Sequence, residues 1–190
     1  MVMEEIELTI KDKLTDGVFA VSLVENPAIE ANFLHLSSDV IQLKVIDEER
    51  RIVVGFALIP EKRIPRKIKD KVFNIYFSKE TISETQELFM SQMKGNNFTT
   101  DHNQKVQGIA VIESWIVEDP KHDKSNIYNL GANGGEWVLM SKINNDKVWA
   151  DVKAGKFKGY SIEAMFSGFE DLEMSEDEKL IQELRRILGE

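Results

Sequence analysis

The 190-residue chain carries 24 Lys and Arg against 33 Asp and Glu, a formal net charge of −9, which disfavours a nonspecific phosphate-binding surface. With 42% hydrophobic residues it can bury one sizeable core and a short appendage, so one domain over residues 1–170 and an acidic tail over 171–190 are predicted. Cysteine is absent, which excludes disulfides, thiolate zinc sites and a cysteine nucleophile. The acidic start, "MVMEEIELTIKDKL", has neither a basic n-region nor an apolar h-region, and no apolar run reaches the ~18 residues of a membrane span, so a soluble, cytosolic protein is expected.

In chain order, apolar runs bounded by turn residues predict strands near Val18–Val24, Val40–Ile46, Arg51–Ile59, Val72–Phe77, Val106–Val117, Trp137–Ile143 and Tyr160–Phe169. The basic stretch Glu61–Lys71, "EKRIPRKIKDK", has two prolines nearby, Pro60 just before it and Pro65 within it, and no aromatic platform, and reads as a solvated loop. Ser78 then opens a central helix in which Ile82, Thr85, Phe89 and Met93 recur at helical spacing, with Gly95 as its stop. The stretch "EDPKHDKSNIYNLGANGGE", residues 118–136, is a long Asp-, Asn- and Gly-rich loop of the kind that serves as a lid or faces substrate. A short helix follows with Asn145 as N-cap, Val148, Trp149 and Val152 on one face and Gly155 at its end. In the tail, Ser175 and Glu178 form a capping-box pattern ahead of an amphipathic helix carrying Leu180, Ile181, Leu184, Ile187 and Leu188.

Any imidazole base must be His35, His102 or His122. His35 alternates with apolar neighbours and reads as structural; His122 lies in the hydrophilic loop; His102 stands just before a long apolar strand, where the sheet can fix it while its ring reaches solvent. No H-x₃-H or H-E-x-x-H spacing occurs, so a metal site has no support and no cofactor is expected. In the strand "GIAVIESWIV", Glu113 shares a face with Val111 and Trp115, and a carboxylate buried there needs a partner such as an imidazole, an Arg or backbone amides.

The stretch "GKFKGYSIEAMF" places Ser161 on one strand face with Glu163 and Met165, and Ile162, Ala164 and Phe166 on the other. Gly159 permits close approach of a substrate backbone. Alternation alone does not separate Ser161 from Ser22, Ser114 and Ser141, which also sit in apparent strands, and a structural serine is the commoner case.

Six segments taken together, "VSLVENPAIEANF", "RRIVVGFALIPEKRIPR", "IYFSKETI", "TTDHNQKVQG", "IESWIVEDPKHDKSN" and "WVLMSKINNDKVWADVKAGKFKGYSIEAMF", resemble the XkdF-type phage serine proteases, a branch of the tailed-phage prohead (capsid maturation) proteases. The resemblance spans nearly the whole chain apart from the acidic tail. It implies an α+β protein, mainly an antiparallel β-barrel with flanking helices like the herpesvirus assemblins, with residues 1–170 as the protease domain. The family's histidine motif falls on "TDHN", giving His102 as base, and its nucleophile motif falls on "GYS", giving Ser161, with Tyr160 where the family has Phe. The second histidine that follows the nucleophile in assemblins is missing, so the third member would be acidic or absent: Glu113 is the first choice and Glu163 the second. The implied activity is a serine endopeptidase that cleaves phage scaffold and major capsid proteins, and itself, inside the procapsid in the host cytoplasm. A homodimer is implied, with no specific nucleic acid and no membrane as partner. The alternative is a noncatalytic scaffold or capsid-assembly protein that retains the fold.

Overall fold

In the computed structural model, which describes residues 4–25, 43–68 and 71–168, the apolar runs become strands and the periodic segments helices. The order is β1 (Glu4–Glu7), β2 (Gly17–Val24), β3 (Lys44–Asp47), β4 (Ile52–Leu58), β5 (Ile64–Ile68), β6 (Lys71–Tyr76), α1 (Lys79–Ser91), β7 (Phe98–Thr100), β8 (Gln104–Val106), β9 (Ile109–Ile116), β10 (Trp137–Ile143), α2 (Asp146–Lys153) and β11 (Gly159–Met165). His35 and the amphipathic tail lie outside the described residues.

Both helices start where their caps predict. Ser78 Oγ accepts the Thr81 amide at 3.3 Å, and Asn145 Oδ1 accepts that of Val148 at 3.0 Å. Helix α1 ends before Gly95, because Met93 already takes a left-handed conformation (φ 54°).

The strands form three sheets, ordered β1-β6-β5, β3-β4-β10-β9 and β11-β2-β7-β8. The pairings β1/β6 and β2/β7 are parallel and the rest antiparallel, so the fold is α+β with mainly antiparallel sheets. The expected closed barrel is not found among the described residues. The β5/β6 hairpin takes β1 as its neighbour, and β2 takes the short β7, so each sheet keeps its own edges.

Strands β4 and β10 are buried almost throughout, which is why they read as unbroken apolar runs. One face of their sheet joins the main core with β2, β6, β11 and the helices, where Trp137 meets Phe89 edge-on at 5.3 Å between ring centroids. The other face carries a second cluster of Ile52, Val54, Phe56, Val117, Val138 and Met140.

Two loop readings are corrected. The described part of the basic stretch is not a solvated loop: Ile64–Ile68 pair with β6, and Arg63 lies over the Tyr76 ring, 4.2 Å from its centroid, while bonding Glu5 and Glu61. The loop over residues 118–136 is no lid on a cleft. Its Tyr128, Leu130 and Ala132 pack on the second cluster, and the buried Glu136 carboxylate accepts the amides of Asn133 (2.6 Å) and Gly134 (2.8 Å).

Candidate active site

Strand β11 leaves the α2 turn and pairs antiparallel with β2, in a register that sets Ser161 opposite Ser22 and Glu163 opposite Ala20. Alternation therefore puts Ser161 and Glu163 on the same face. On the far side of β2, Ser22 is paired with Thr99 of β7. The row Ser161, Ser22, Thr99 thus carries three hydroxyls across three adjacent strands.

The connection from β7 to β8 presents the imidazole. Asp101 (φ 45°) and His102 (φ 56°) both adopt left-handed backbone, and the Asn103 amide donates to the Thr100 carbonyl at 3.1 Å, closing a tight reverse turn. Asp and His enter this region more often than most side-chain-bearing residues, though still at a cost, so "TDHN" is itself a turn sequence. The turn is tied to β2 and the residue after it at three points: the Asp101 amide donates to the Leu23 carbonyl (3.0 Å), the Glu25 amide to Asp101 Oδ1 (3.1 Å), and the His102 amide to Ser22 Oγ (3.0 Å).

Fixed in this way, His102 Nδ1 lies 3.4 Å from Glu163 Oε1, and the two side chains are 17% and 18% exposed. The same carboxylate oxygen accepts the Thr99 hydroxyl. Glu163 is thereby held among groups that compensate its partial desolvation, which an isolated carboxylate would resist by several kcal/mol. The separation is longer than a well-formed hydrogen bond.

Ser161, His102 and Glu163 line one cleft of about 500 Å³. Its walls are apolar, with Ile64, Ile75, Phe77 and Phe166 among them, and Lys62 and Arg66 add two cations. The cleft is flanked by β11 and β5, each the outermost described strand of its sheet. Adjacent Tyr160 is no competing base: burial pushes its phenol well above the ordinary tyrosine range, against a smaller opposing contribution from Ser141.

The serines are separated by placement. Ser22 and Ser141 are fully buried, and Ser114 Oγ accepts Gln86 Nε2 at 3.0 Å and Trp137 Nε1 at 2.9 Å. Ser161 alone of the four lines the cleft. Of the other imidazoles, His122 is 82% exposed beside Asp119.

Glu113 does not join the other two. It sits on β9, in the sheet that lacks β11, and is 46% exposed, paired with Lys124, which stands over the Trp115 ring. The carboxylate beside His102 is that of Glu163. No group of three or more His, Asp or Glu able to hold a metal ion occurs among the described residues.

Lys62 and Arg66 were hidden in a stretch whose prolines and charges mask its strand character. Thr99 lies in a three-residue strand too short to show a period.

A search of curated proteins and one of solved structures each found no match. A family model described as "Putative phage serine protease XkdF" matches residues 39–170. That span includes His102, Ser161 and Glu163 and more than half of the chain, which therefore belongs to the XkdF family of phage serine proteases.

Proposed function

We propose that the chain is a prohead endopeptidase working through Ser161 as nucleophile, His102 as general base and Glu163 as the carboxylate that orients the imidazole. The observation that carries this reading is the single cleft that these three residues line, with His102 Nδ1 turned to Glu163. An imidazole whose Nδ1 faces a carboxylate keeps its proton there and leaves Nε2 to act as the base.

His102 Nε2 takes the Ser161 proton as Oγ attacks the substrate carbonyl, and the resulting imidazolium is stabilised by Glu163. It then protonates the leaving amine. Water, deprotonated by the same nitrogen, hydrolyses the acyl-enzyme. An extended substrate fits between β11 and β5, where main-chain pairing with an edge strand supplies sequence-independent affinity and the apolar walls receive alternate side chains.

The substrates are the scaffold and major capsid proteins of the phage and the enzyme itself, cut within the procapsid, a reading supported by the phage family and the resemblance of the motifs to prohead proteases. The test is mass spectrometry of the scaffold and capsid proteins incubated with the parent or with Ser161→Ala. Defined fragments with the parent and none with the variant are expected. Equal fragmentation by both would overturn the assignment of the nucleophile.

A further inference from the structure

We propose that Ser22 and Thr99, the two hydroxyls beside Ser161 in the cross-strand row, are positioning residues that hold the base and its carboxylate in register with the nucleophile. This rests on the roles given above to Ser161, His102 and Glu163. The two residues act on different parts of the pair. Ser22 Oγ accepts the His102 backbone amide at 3.0 Å, so it fixes where the turn places the imidazole. Thr99 donates to Glu163 Oε1, the oxygen that also faces His102 Nδ1, so it fixes the carboxylate rotamer.

The row makes the arrangement a consequence of sheet register rather than of loop packing. Ser161 is opposite Ser22, and Ser22 is opposite Thr99, so the three Cβ atoms lie side by side on one face. The left-handed turn needs this support. Two consecutive residues with positive φ are held in a conformation that is costly for side-chain-bearing residues, and the buried Ser22 hydroxyl is one of the bonds that offset it. A side chain that reaches the substrate only through another group changes rate by alignment, and misplacement of about 1 Å can cost a factor of roughly 100.

The test reads covalent modification of Ser161 by a fluorophosphonate probe, separating the maximal inactivation rate from the half-saturating probe concentration. The full chain is compared with Thr99→Val, Thr99→Ser, Ser22→Ala, His102→Ala and Ser161→Ala. Thr99→Val keeps the side-chain shape and removes only the hydroxyl. It is expected to lower the maximal rate about 10- to 100-fold with half-saturation unchanged, and Thr99→Ser to restore most of the loss. Ser22→Ala is expected to fall in the same range; should it not fold, the Thr99 pair decides alone. Parent-like rates in Thr99→Val, with labelling still abolished in His102→Ala and Ser161→Ala, would overturn the positioning role and leave the catalytic assignment standing. Parent labelling unaffected by Ser161→Ala would overturn both.

Discussion

The sheet that carries Ser161 and the sheet that carries Glu113 are built on different principles. In β3-β4-β10-β9, every residue of β4 and nearly all of β10 are buried, and both faces are covered by apolar clusters. In β11-β2-β7-β8, the two outer strands on the β8 side have three residues each, and the face bearing Ser161 is organised by hydroxyls, an imidazole and a carboxylate. The first is held by packing, whose loss is felt as stability. In the second, polar contacts fix geometry, and under the proposed function their loss is expected to be felt as rate. This division is the usual relation between a rigid scaffold and the site mounted on it.

The comparison is broken most severely at His102. His102→Ala is expected to lower peptide cleavage by about 10⁴-fold or more, since removing one member of such a unit costs nearly as much as removing all. Its Tm should stay within a few degrees of the parent, because the ring is not among the core residues. Kinetics and thermal unfolding on the same preparation check both halves. Loss of fold together with activity would show that the turn is structural for the whole sheet.

Next in size is Trp137→Ala in the apolar sheet. It empties the site of a fully buried indole packed on Phe89 and leaves Ser114 Oγ without the indole N–H. The expected loss is about 3–5 kcal/mol of stability by denaturant unfolding. Activity measured well below the transition should remain near that of the parent. A large drop in rate with intact stability would mean that the two sheets are not functionally separate.

How much of this was legible in the sequence follows the same division. The apolar sheet was readable because burial on both faces leaves a composition signal: Trp137–Ile143 was placed to the residue, and the neighbouring strand at Ile52–Leu58 to within one. In the polar sheet the apolar runs placed Gly17–Val24 to within one residue and the start of Gly159–Met165 likewise, but the functional turn and serine were marked only by the motifs "TDHN" and "GYS". Strands Phe98–Thr100 and Gln104–Val106 are too short to show a period, and Ile64–Ile68 is masked by Pro65 and its charges. The barrel expectation failed on strand partnership, which local alternation does not encode. The choice of Glu113 over Glu163 turned on the same point. Alternation sets the face on which each carboxylate lies, but not that Ile109–Ile116 joins β10 while Gly159–Met165 joins β2.

The two carboxylates give the sharpest form of the comparison, because the same substitution removes one charge from each sheet. Glu163→Gln keeps the side-chain length and an oxygen for Thr99, but it presents His102 Nδ1 with a neutral amide. A drop of about 10²-fold or more in kcat is expected, from loss of imidazolium stabilisation and of the tautomer preference. The KM should change little, since the substrate does not meet Nδ1. Glu113→Gln removes the partner of Lys124, an exposed pair that also has the Trp115 ring beneath the ammonium. The Trp115 ring beneath the ammonium means the cation is not held by Glu113 alone, while burial pushes Lys124 down from its ordinary lysine value. An exposed pair of this kind contributes up to about 1 kcal/mol and is screened by salt. Cleavage within about twofold of the parent is therefore expected, along with a stability loss under about 1 kcal/mol that shrinks in high salt. The discriminating measurement is kcat for both variants at one pH. A large loss in Glu113→Gln with a small one in Glu163→Gln would place the orienting carboxylate on the wrong sheet and require His102 to be served from β9, a contact that the register of β9 with β10 does not provide.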